Sequence, residues 1–149
     1  MRTLAMGLVL IGCSQAVLDP SQVSPIEALP VPHGATLRFT VPIQGSAAWG
    51  PGQESQYLIT GVALKKVDQW YEKQLPAGTS WQSWMLCHDT GGIFTHVDLG
   101  KFGFSRGWFK ADGSQLAVAT QQNKQGGVMI LVVKFGPSAG GATFVGCKS

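Results

Sequence analysis

From Ala35 onward the chain alternates as an extended segment does. Leu37, Phe39 and Val41 fall on one side and Arg38 and Thr40 on the other, the period of two expected of a half-buried strand. Pro42 to Gln53 interrupts the pattern with Gly45, Gly50, Gly52, Ser46 and Pro51, a loop composition, and Tyr57 to Thr60 resumes it. Between Leu64 and Leu75 the period changes. Leu64, Val67, Tyr71 and Leu75 recur at three and four residues, while Lys65, Lys66, Asp68, Gln69, Glu72 and Lys73 fill the other positions. This spacing predicts an amphipathic helix whose stripe packs on a sheet. Pro76 and Gly78 end it, and no strong N-cap side chain precedes Leu64. About three turns are marginal in isolation, so burial of the stripe is the reason this helix forms.

Extended segments follow at Ser80 to Cys87, Gly107 to Lys110, Gln115 to Thr120 and Val128 to Phe135, with Asp112-Gly113 and Gln125-Gly126-Gly127 as hairpin turns between the later ones. Val128 to Val133 is almost unbroken in its apolar character, the mark of a central strand covered on both faces. The expected fold is α+β: a mainly antiparallel sheet of five or six strands with one helix, Leu64 to Leu75, on one face.

Upstream, Pro20, Pro25, Pro30 and Pro32 punctuate Ser14 to His33 too closely for a continuous helix or a central strand. Two readings stand for this stretch, an extended spacer or an irregular arm held to the domain by Val17, Leu18, Ile26 and Leu29. The domain proper is expected from Gly34 to the end. A length of 149 residues fits one such unit. Hydrophobic residues at 44% against 13% charged argue for a packed core and against general disorder, and 20 glycines favour turns and short strands over a helical bundle.

The first twelve residues read as an export signal. Arg2 supplies a positive charge, Leu4 to Ile11 is apolar except for Gly7, and Leu10-Ile11-Gly12-Cys13 closes the run, which is far short of the ~20 residues that span a bilayer. Leu10-Ile11-Gly12-Cys13 resembles the bacterial lipobox. That resemblance implies cleavage before Cys13, diacylglycerol on its thiol, and a mature chain tethered to a bilayer by more than one acyl chain, each buried methylene contributing ~0.8 kcal/mol. The competing reading keeps Met1 to Ile11 as an apolar part of the fold and Cys13 as a buried thiol. With Cys13 acylated, Cys87 and Cys147 remain as a pair. A disulfide between them would stabilise the chain by on the order of 4 kcal/mol in the chain-entropy model; two separate thiols are the alternative.

Val67-x-x-Trp70-Tyr71-x-x-x-Leu75-Pro76, followed by Trp81 and glycine-punctuated strands, resembles a pattern in small exported bacterial proteins of unknown function, many of them lipoproteins. That family shows Gly-Trp opening the next strand, where this chain has Gly78-Thr79-Ser80-Trp81. The resemblance implies an α+β fold and no particular activity.

Chemistry-bearing residues are sparse. Cys87-His88-Asp89 and His96-Val97-Asp98 hold residue types that ligate zinc, without Cys-x-x-Cys or His-Glu-x-x-His spacing. The same His88, Asp89, His96 and Asp98 are the residues on which a hydrolase reading would rest. No Gly-x-Ser-x-Gly elbow occurs. Phe102, Phe104, Arg106 and Trp108 share one side of an extended segment, which offers either rings for stacking on a sugar or filling for the core beneath the helix. Loss of Arg2 with the leader leaves a net charge of +2 from dispersed cations, too little for nucleic-acid affinity.

The sequence therefore leads to an expectation of a bacterial envelope protein anchored to the bilayer through acylated Cys13. Its role would be non-catalytic, binding or structural, with another envelope protein or an envelope glycan such as peptidoglycan as partner. No cofactor, metal or catalytic residue is expected, and Phe102, Phe104 and Trp108 are the candidate glycan contacts.

Overall fold

The structure is a computed structural model that describes residues 22–45, 50–87 and 103–137. Among the described residues eight strands and one helix follow in the order β1 (Gln22–Val23), β2 (Pro30–Val31), β3 (Thr36–Ile43), β4 (Gly52–Ile59), α1 (Leu64–Gln74), β5 (Met85–Cys87), β6 (Ser105–Phe109), β7 (Gln115–Gln122) and β8 (Val128–Phe135). The fold is α+β. β3 to β8 form one antiparallel sheet in the order β3-β4-β8-β7-β6-β5, and β1 pairs with β2 in a small second sheet.

The topology joins a β3-β4 hairpin to a β5-β6-β7-β8 meander, whose last strand inserts beside β4. Since every pairing is antiparallel, β4 and β5 run in the same direction with three strands between them. α1 makes that crossing. The two meander turns form where the glycines predict them: Gly113 has φ of 89°, Gly126 of 100° and Gly127 of 80°, left-handed values that glycine adopts without steric cost. Asp112 fixes the first turn by accepting the Ser114 N–H at 2.9 Å.

The helix buries Val67, Trp70 and Tyr71, with Leu75 buried just past its end. Ala63 precedes it without a side-chain cap, and the Leu75 N–H donates to the Tyr71 carbonyl at its close. These side chains meet Tyr57 and Ile59 of β4, Leu116 and Val118 of β7, and Val128, Ile130 and Val132 of β8 in one core. Arg106 binds the helix end, donating to the Leu75 carbonyl at 3.2 Å and to Glu72 at 2.9 Å, where a cation also complements the helix dipole.

The packed unit begins upstream of Gly34. Residues 22–33, expected as part of the spacer, form β1 and β2 and bury Ile26, Leu29 and Val31 in the same core. Tyr71 Oη donates to the Pro30 carbonyl at 3.1 Å, and Gln22 Nε2 donates to the carbonyls of Pro32 and Ala35 at 2.9 Å each. The prolines exclude a long regular element but not burial: Pro30 accepts from Tyr71 Oη through its carbonyl and has no N–H to satisfy.

Candidate functional site

The aromatic residues that the sequence offers as ligand contacts are core residues wherever the structure describes them. Register places Phe104, Arg106 and Trp108 on the α1 side of the sheet. Phe104 stacks on Tyr71 with centroids 5.1 Å apart and planes 17° from parallel, and Trp108 donates from Nε1 to the Thr79 carbonyl at 3.1 Å. Both are buried. Neither ring offers a free face for a sugar, so the expected glycan contact at Phe104 and Trp108 is corrected to a packing role. Phe102 lies outside the described residues, as do Cys13, Cys147, His88, Asp89, His96 and Asp98; Cys87 closes β5.

A polar knot that the sequence does not announce lies under the β1-β2 turn. Glu27 accepts from Trp84 Nε1 at 3.2 Å and pairs with Lys134, while Trp81 Nε1 donates to the Glu27 carbonyl at 3.0 Å. Lys110 stands 4.4 Å from the Trp84 ring centroid. The Lys134 ammonium bonded to it holds the Glu27 carboxyl below its usual range, against the opposing effect of burial; Trp84 and Lys110 add to the lowering. The indole N–H groups of Trp81 and Trp84 and the Lys134 ammonium all bond to Glu27, so this arrangement clamps the β1-β2 hairpin and the Trp81-Trp84 turn onto β8.

A second buried polar link fixes α1 to the sheet. Thr120 is fully buried and accepts the Phe104 N–H at 2.8 Å. Its hydroxyl donates to Asp68 Oδ1. Gly103 is where a Cβ would collide with that carboxylate. Asp68 therefore turns toward the sheet, although its sequence position assigns it to the solvated side of the helix.

The accessible feature is β3. Its strand pairs with β4 on one edge, and among the described residues no strand pairs with the other. Leu37, Phe39 and Val41 are 45%, 43% and 39% exposed, whereas their alternation predicts a buried side. A bulge between Leu37 and Phe39 breaks that alternation: Leu37 pairs beside Tyr57 on the α1 side, while Phe39 and Val41 align with Gln56 and Glu54 on the other. Thr40 and Ser55 share a hydroxyl hydrogen bond of 2.8 Å across the pair. β3 is thus an eight-residue edge carrying apolar side chains, with backbone groups directed outward, which is the feature that recruits another strand.

Comparison of the chain with protein-family models, with curated proteins and with solved structures gives no match. Among the described residues no helix is long and apolar enough to cross a membrane.

Proposed function

We propose that this is a lipid-anchored protein of the bacterial envelope that acts by association, through strand pairing at β3 with an extended segment of another envelope polypeptide. Leu10-Ile11-Gly12-Cys13 supports the anchor, with Cys13 as the acylated residue. The observation that carries the association is the β3 edge: three large apolar side chains exposed on eight residues of strand with no second neighbour among the described residues. An isolated surface leucine is ordinary, whereas such residues along an edge strand are ones that soluble proteins usually blunt with charge. Arg38 is the one charge in β3, and Pro42 removes a donor near its end.

A photo-crosslinking residue placed at Phe39 in cells tests this. The expected result is a polypeptide adduct that disappears when Cys13→Ala releases the tether and when Val41→Lys blunts the edge. An adduct unaffected by both changes, or none at all, overturns it.

A further inference from the structure

The open edge of β3 carries its own register. Pro42 lies opposite Gln53 of β4, and because proline has no N–H to exchange, that pair is one of the non-hydrogen-bonded pairs of an antiparallel ladder. Thr40 and Ser55, two residues along, are then another. Their hydroxyls meet at 2.8 Å, in keeping with the closer approach of side chains in such pairs. The N–H and C=O of Thr40 therefore point away from β4, as do the nitrogen and carbonyl of Pro42. On the other side of Thr40 the bulge between Leu37 and Phe39 ends the regular ladder. Between bulge and proline, Thr40 carries the one outward pair of donor and acceptor, in a strand that is exposed from Thr36 to Pro42.

We propose that the segment β3 receives is β3 of a second copy of this chain, antiparallel and with Thr40 opposite Thr40. This names the partner within the reading of β3 as a pairing edge, and rests on that reading. The register follows from the two obstacles. Thr40 needs both a donor and an acceptor opposite it: the second copy's Thr40 supplies both, its Pro42 lacks the donor, and its Arg38 sits in the bulge. With Thr40 at the centre, Phe39 of each copy lies directly across from Val41 of the other, on the face away from α1. These are two aromatic and β-branched pairs of the kind that stabilise sheets. Arg38, the one charge of the strand, falls opposite the second copy's Pro42, which keeps the two Arg38 positions about 13 Å apart along the strands. The contact is isologous, with its two-fold axis perpendicular to the sheet. Both α1 helices and both β1-β2 hairpins, which pack into the core on the α1 side, then lie on one face of a continuous sheet. Two chains that enter their domains at those hairpins suit anchors in a single bilayer, where confinement raises the effective concentration for a short strand pairing.

Two copies of the full chain with different C-terminal tags, produced together in cells with benzoylphenylalanine in place of Phe39 in one of them, test the pairing. Irradiation is expected to give an adduct of twice the chain's mass that carries both tags, with the ring attached to residues 40–42 of the unsubstituted copy. Thr40→Pro in both copies removes the outward N–H and leaves the β3-β4 ladder its bonds, and is expected to cut the yield severalfold. Thr40→Val keeps that N–H and is expected to leave the yield unchanged. Attachment outside β3, or equal yields from the proline and valine variants, would overturn the proposal. Adducts with a different polypeptide and none between copies overturn it as well, while leaving β3 as a pairing edge; no adduct of either kind overturns both readings.

Discussion

At the scale of single residues, the β1-β2 turn shows a local backbone conflict held by side-chain bonds. Glu27 and Ala28 have φ of 53° and 52°, a left-handed conformation that costs a non-glycine residue roughly 1–2 kcal/mol. The Leu29 N–H closes the turn on the Ile26 carbonyl at 3.3 Å. Ala28 is exposed and makes no side-chain hydrogen bond, so Ala28→Gly is expected to stabilise the protein by about 1 kcal/mol in denaturant unfolding. Glu27 is different, because its carboxylate joins Lys134 and Trp84. Glu27→Gln is expected to destabilise by about 1–2 kcal/mol at neutral pH. The carboxyl titrates below its ordinary 4.5 in the folded protein. Its contribution is therefore present above pH 4.5 and is lost as the pH falls from there through the lowered folded value. Unfolding curves of the two proteins should converge over that interval; a gap independent of pH would contradict the assignment.

At the scale of elements, the union of α1 with the sheet rests on an apolar stripe and one buried polar link. Thr120→Val keeps the shape but strips Asp68 and the Phe104 N–H of their shared partner, with an expected loss of about 1–3 kcal/mol. β3 behaves in the opposite way. Because Phe39 is largely exposed, Phe39→Lys is expected to change stability by less than about 0.5 kcal/mol, against the roughly 3–5 kcal/mol expected of a core phenylalanine truncated to alanine. What was legible follows the same division. The helix, β8 and the two glycine turns were readable because each is encoded by spacing or by left-handed backbone within a few residues. β4 was not, since Gly52 to Gln56 lacks apolar alternation and its register comes from β8. The outward β3 side chains, the inward Asp68 and the buried Phe104 and Trp108 depend on a bulge, a cross-element hydroxyl and the position of α1, none of which local spacing carries. The Glu27 knot joins residues 107 positions apart, and only the fold brings them together.

At the scale of the whole molecule, the described sheet has one face closed by α1 and the β1-β2 hairpin and one long edge left to pair. Packing of residues 22–33 into the core shortens any spacer to the stretch upstream of Gln22, so a tether at Cys13 would hold the domain close to the bilayer. A fully extended run from Cys13 to Gln22 reaches about 30 Å at most, which keeps β3 within reach of partners at the membrane surface. The intact mass of the protein extracted from membranes tests the lipid-anchored account most directly. Loss of Met1 to Gly12 with diacylglycerol and a further acyl chain on Cys13 is the expected spectrum; an unmodified chain that still begins at Met1 would contradict it.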